Sequence, residues 1–175
     1  AGPPARTAKR YLVLLFLCLA ATIAYVQRQS LVVAESTVRR ELGLGEQQMA
    51  WVMSSFFITY ALFQIPGGWL ARARGPRRAL ACLSTAYSLC TGLLALAGGL
   101  PLLIAARLGM GAGQAGLFPA TTLTIGTWFP RTAWAAPSGA LTAFMQIGGA
   151  LGAALTGLLL APCGWRWLYL GYALP

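Results

Sequence analysis

GGWLARARGPRR, residues 67–78, is the one dense charge cluster between two long apolar runs. Four arginines, Arg72, Arg74, Arg77 and Arg78, surround Gly75-Pro76, a dipeptide that turns the chain. The stretch is too short to form a domain. It reads as a tight basic hairpin between two membrane helices. Short basic loops stay on the cytoplasmic side, so this hairpin sets the orientation expected for every other segment.

Composition agrees with a membrane chain. Of 175 residues 58% are hydrophobic and only 9% are charged, against about a quarter in soluble domains. The net charge of +10 does not point to nucleic acid, because the basic residues are scattered between apolar runs and form no single polar face. There is no histidine, and the only acids are Glu35, Glu41 and Glu46. That leaves no general acid–base pair and no metal-ligand cluster in the apolar runs, so neither an enzyme nor a metal or cofactor site is expected. Cys18, Cys82 and Cys90 lie inside apolar runs and read as small core residues, not as a disulfide set.

Outward from the hairpin, the apolar runs predict an all-α membrane bundle of six helices at about 11–34, 48–71, 79–99, 102–128, 138–161 and 166–175, the last incomplete. Residues 1–10 are expected to form a cytoplasmic tail, 35–47 an external loop, and 162–166 an external turn. Pro66-Gly67-Gly68 is expected to loosen the end of the second helix, and the third helix reads as lipid-facing or supporting. The chain begins at Ala1 and its last apolar run is cut off at Pro175, so a fragment of a longer polypeptide or a truncated gene product is expected. The basic residues follow the membrane rule: eight fall in segments expected to be cytoplasmic, three in external ones. The other two, Arg28 and Arg107, lie inside expected spans.

Those two carry the chemistry. An arginine inside a spanning helix costs about 2.5–3.5 kcal/mol on insertion scales, and it faces the bundle interior or a cavity. No acid is available in these helices to pair either one. Two unpaired guanidinium groups in a low dielectric suit a carboxylate or phosphate. Tyr25, Tyr60, Gln64 and Gln146 are the neutral candidates for orienting such an anion. Phe56, Tyr60 and Gln64 recur every fourth residue and share a helix face. Gly111, Gly113 and Gly116 echo a dinucleotide loop, but no strand precedes them, so they read as sites of close helix packing. Gly148 and Gly152 form a similar small-residue pair.

The hairpin resembles the loop between helices 2 and 3 of the major facilitator superfamily, G-x-x-x-D-R/K-x-G-R-R. Gly67 or Gly68, Gly75, Arg77 and Arg78 match. Further stretches resemble the anion:cation symporter family within it: YVQR (25–28), QIPGGWLARARGPRR (64–78), RLGMGAGQAGLFPA (107–120), TWFPR (127–131) and GWRW (164–167). They cover most of the chain in order. The resemblance implies the N-terminal half of a twelve-helix carrier, built from two inverted three-helix repeats. It also implies a small anionic substrate between two six-helix halves, and a plasma or inner membrane location.

The chain departs from that family at three acids. The acid before the first-helix arginine is Gln27, the acid after the fourth-helix glycines is Gln114, and the hairpin acid is Arg72. The resemblance makes the first two proton-coupling positions, and glutamine cannot titrate. Proton coupling is therefore expected to be lost or altered. Loss of three acids also fits a second expectation, a non-transporting remnant or an assembly partner in the membrane. Arg72 adds repulsion among Arg74, Arg77 and Arg78 where the family has an attraction that holds one gating conformation. Reverting it, Arg72→Asp, should raise the outward-open population in a distance-labelling experiment; an unchanged distribution would remove Arg72 from gating.

Overall fold

The computed structural model describes residues 7–173. Six helices follow one another: α1 Thr7–Glu41, α2 Glu46–Arg74, α3 Pro76–Ala95, α4 Leu100–Ala115, α5 Leu117–Trp128 and α6 Ala135–Tyr172. A single 3-10 turn, Arg131–Ala133, leads into α6. No strand occurs among the described residues. α1, α2, α3 and α6 are each long and apolar enough to cross a membrane.

The charged ends of the helices are longer than expected. α1 takes in Lys9, Arg10 and the whole Glu35–Glu41 segment, so only residues 42–45 form a loop. Of the expected tail, residues 7–10 are helical, and residues 1–6 lie outside the described residues. Arg39 pairs with Glu35 one turn earlier at 3.3 Å and with Glu46 across the loop at 3.2 Å. Gly43 turns the chain in the left-handed region, φ 62°. A helix of 35 residues is about 52 Å long, against about 30 Å of hydrocarbon, so its charged ends project beyond the apolar layer.

α2 likewise runs unbroken through Pro66 and carries Arg72 and Arg74 in its last turn, where cations suit the helix dipole. The expected loosening at Pro66–Gly68 does not occur. Gly67 and Gly68 are buried contact points instead: a Cβ on Gly67 would lie 2.5 Å from Gly116 Cα, and one on Gly68 3.4 Å from Pro119. The hairpin shrinks to one residue, Gly75, at φ 83° and ψ 146°. Pro76 then opens α3, where its missing N–H costs nothing.

The expected fourth span is divided at Gly116 into α4 and α5, but Gly116 keeps a right-handed backbone (φ −85°, ψ −6°), so the two continue one another. α6 contains the expected fifth and sixth spans. Gly164 (φ 72°, ψ 155°) breaks it, with Pro162 just before. Thr156 Oγ1 and Tyr172 Oη meet at 3.1 Å although sixteen residues separate them. A straight helix would place them about 24 Å apart, so the second arm folds back. The chain thus does turn within residues 162–166, and the turn is compressed to a single glycine.

Packing pairs α1 with α6, α2 with α4, and α3 with α4, α5 and α6. Small residues set these approaches. A Cβ on Gly148 would lie 2.5 Å from the Thr22 carbonyl oxygen, and one on Gly152 would lie 2.8 Å from Val26 Cα. Large apolar side chains point outward, including Ile65, Trp69 and Leu158, while Gln27, Arg107 and Gln114 are buried. This apolar-out, polar-in arrangement suits a surface bathed in lipid.

Gly152→Val forces a branched side chain into the α1 backbone, and overpacking of this kind costs about 1–3 kcal/mol. Thermal unfolding in detergent should show that loss, whereas Gly157→Ala, with open space around its Cβ, should leave stability unchanged or slightly raised. Equal effects of the two would show that α1 and α6 do not touch at Gly152.

Candidate anion site and family

A cavity of about 450 Å³ opens among α1, α2, α4 and α6. Tyr25, Arg28, Gln29 and Val32 reach it from α1, at the spacing of one helix face. Met53 and Phe57 come from α2, Arg107 from α4, and Gln146 and Gly149 from α6. Thus four of the residues singled out from the sequence, Arg28, Arg107, Tyr25 and Gln146, do converge.

The two arginines share the Phe56 ring. Arg28 stands 5.0 Å and Arg107 4.8 Å from its centroid. Arg28, half-buried, also faces Tyr25, Phe57 and Tyr60 within 5.5 Å. Ring faces attract the cation but accept nothing from the N–H groups in the guanidinium plane. Arg107 is only 1% exposed. Its Nη2 reaches Met53 Sδ at 3.7 Å, and its Nε and Nη1 are buried with no partner among the described residues.

No glutamate answers these charges. Glu35 and Glu46 pair with Arg39, and Glu41 pairs with Arg166 while accepting the Trp165 Nε1–H bond at 2.6 Å. All three cluster at the end of the bundle formed by the α1–α2 loop and the Gly164 turn. Charged groups of both signs are thus present, but the acids are used at the surface and the two inner cations are left over.

The other sequence candidates lie elsewhere. Gln27, 1% exposed, turns away from the cavity. Its amide donates to Ser88 Oγ at 3.4 Å and to the Tyr172 carbonyl, and its oxygen accepts from Thr91 Oγ1 at 3.3 Å. Of the two readings of this helix, lipid-facing or supporting, α3 fits the supporting one: it anchors this amide. Gln114 donates to the Ala24 carbonyl at 2.8 Å, and its oxygen is buried without a partner. It lines a second, smaller cavity of about 30 Å³ with Tyr25 and Tyr60. Tyr60 stacks on Phe56, centroids 5.7 Å apart. Gln64 is exposed one turn further on and lines neither cavity. In the hairpin Gly68 is buried, and Arg72, Arg77 and Arg78 are exposed without an ion pair among the described residues.

Met53, Phe56, Phe57 and Gln29 are additions that the sequence reading did not place in the site. Met53 and Phe57 stand four apart on α2, as Tyr25 and Gln29 do on α1, and that spacing was the available signal.

Residues 17–175 match the sequence profile of the Major Facilitator Superfamily. The chain belongs to that superfamily. It is 34% identical over 161 residues to a probable sulfoacetate transporter of Cupriavidus necator, covering 92% of this chain and 37% of that protein. Similarity to the hexuronate transporter of Bacillus subtilis is 32% over 154 residues, 88% of this chain and 36% of the relative. A D-galactonate transporter of Escherichia coli is 32% identical over 97% of this chain and 39% of its own length. The chain thus spans well under half the length of these relatives.

The superfamily fold is matched by a crystal structure of a bacterial homolog of the human lysosomal transporter Spinster, inward-facing and occupied. The TM-score is 0.82 at 22% identity, over 100% of this chain and 43% of that one. As a superfamily member the chain is an integral, multi-pass membrane protein, and its relatives are named as transporters, not enzymes.

A buried cation with unmet donors opposes stability unless an anion meets it. Arg107→Met should therefore raise the melting temperature in anion-free detergent, because it removes a buried charge without a counter-charge. A lower melting temperature would mean that Arg107 is already satisfied as a structural residue.

Proposed function

We propose that the chain is the N-terminal half of a carrier for a small organic anion, with Arg28 and Arg107 holding the anionic group. The observation that carries this reading is the Arg107 guanidinium: buried, with two nitrogens unpartnered, at the wall of a cavity that Arg28 also lines. Such a fork matches a carboxylate, sulfonate or phosphate by paired charge-assisted hydrogen bonds. The names of the relatives support the same chemistry, since sulfoacetate, hexuronate and galactonate all carry such a group.

Tyr25 and Gln146, also on the cavity, orient the rest of the substrate. Tyr60 acts behind them by fixing Phe56, and Gln64 meets the substrate only from the exposed face, where a second six-helix half supplies the other wall. Gln27 and Gln114 are the coupling positions of the family, and here both are amides committed to hydrogen bonds. Transport is then uncoupled from protons. The basic residues of the N-terminal end and the Gly75 hairpin put that end in the cytoplasm, in a plasma or inner membrane. Gly68, Arg72, Gly75, Arg77 and Arg78 form the gating hinge on that side.

The test is uptake of galactonate by the full native polypeptide in proteoliposomes. Loss of one charged hydrogen-bond partner is worth about 1.5–3 kcal/mol, so Arg28→Gln and Arg107→Gln should each weaken apparent affinity by about 10- to 100-fold. Uptake should not respond to an imposed pH gradient. Wild-type affinity in both variants would overturn the site, and accumulation driven by the gradient would overturn the loss of coupling.

A further inference from the structure

A second cationic cavity lies at the opposite end of the bundle from the three glutamates. It has a volume of about 290 Å³ and is walled by Arg10, Tyr11 and Leu14 of α1, Phe129 after α5, and Ala136 and Ala140 of α6. It shares no lining residue with the cavity of Arg28 and Arg107. Arg10 is held over Tyr11 and Phe129, 5.0 and 5.8 Å from their centroids. The rings themselves meet edge to face at 6.1 Å. These contacts orient the guanidinium without using its in-plane N–H groups, and Arg10 Nε is buried with no partner among the described residues.

Two further features give the cavity its sign. The first turn of α6 borders it, with no acid in that turn, so the dipole of that end favours an anion. Arg131, just ahead of α6, is exposed and adds to the positive field. The remaining walls, Leu14, Ala133, Ala136, Pro137 and Ala140, offer hydrocarbon side chains. Tyr11, Trp128 and Trp134 are all partly exposed at this level, which marks the boundary between headgroups and acyl chains.

We propose that this cavity binds the phosphate headgroup of an anionic phospholipid, with Arg10 on the phosphate and the acyl chain along the alanine wall of α6. Basic pockets between membrane helices take such headgroups. A free, fully hydrated phosphate would exchange its water for one guanidinium and an apolar wall, whereas a lipid already sits at this depth. The site stands apart from the transport reading, since none of its residues serves the substrate cavity.

Native mass spectrometry of the full native polypeptide, extracted in mild detergent and supplied with phosphatidylglycerol, phosphatidylcholine or inorganic phosphate, tests it. Phosphatidylglycerol should be retained about tenfold over phosphatidylcholine, the equivalent of one charged hydrogen bond. Arg10→Gln should abolish that preference. So should Ala140→Phe, which fills the cavity and leaves the charge in place. Lys9→Gln, next door but exposed, should keep it. Equal loss in the Lys9 and Arg10 variants, retention by Ala140→Phe, or displacement of the lipid by inorganic phosphate at equal concentration would each overturn the site.

Discussion

A guanidinium without a counter-charge, buried among apolar helices, is the constraint around which this molecule is arranged. Arg107 is buried like a core leucine, yet two of its nitrogens meet no partner among the described residues. A buried ion of this kind carries a desolvation penalty of several kcal/mol, and only a partner charge with good geometry offsets it. The chain has three carboxylates and places all of them at the surface, bound to Arg39, Arg166 and Trp165. Inside, compensation comes from the Phe56 ring, shared by Arg107 and Arg28, from the Met53 sulfur on Arg107 and from the Tyr25, Phe57 and Tyr60 rings around Arg28. Cation–ring contacts are worth about 0.5–2 kcal/mol each, less than the penalty. The shortfall is what makes an external anion a fitting occupant.

The backbone holds this strained arrangement by close approach more than by large side chains. Gly111 sits against the Phe56 carbonyl and Thr59, Gly113 against Tyr87, and Gly116 against Gly67. These contacts bring α4 hard onto α2 and α3 and carry Arg107 inward. Gly148 and Gly152 do the same for α6 against α1, which sets Gln146 and Gly149 at the cavity edge. Where the chain reverses, Gly75 and Gly164 take positive φ values of 83° and 72°, so that long helices follow one another with almost no loop. Between helices packed this closely, buried amides such as Gln27 find backbone and hydroxyl partners. They need no proton to do so.

Much of this was legible in the residues. The apolar runs located the helices, because long apolar stretches favour helices in a membrane, and four of those helices are long and apolar enough to span one. The ends were not legible, because arginine, lysine and glutamate are good helix formers: charge marks where the apolar layer stops, while Lys9, Arg10, Arg39 and Arg72 remain helical. Pro66-Gly67-Gly68 looked like a break, but a partner helix seats those glycines, and packing overrides local preference. In the site, Arg28 and Arg107 stood out through the lack of any acid to pair them. The neutral residues were harder to read. Gln27 and Arg28 are neighbours in sequence yet about 100° apart around α1, so one serves the α3 contact and the other the cavity. Met53 and Phe57 carry no charge to attract notice, and their role depends on how α2 meets α1.

The central claim is that the cavity recognises charge. Equilibrium binding to the full native polypeptide in nanodiscs would compare galactonate with galactitol, an uncharged polyol of similar length. The account predicts saturable galactonate binding at least about tenfold tighter than galactitol, the equivalent of one charged hydrogen bond, and weakening with added salt. Equal binding of the two, or no dependence on salt, would contradict it.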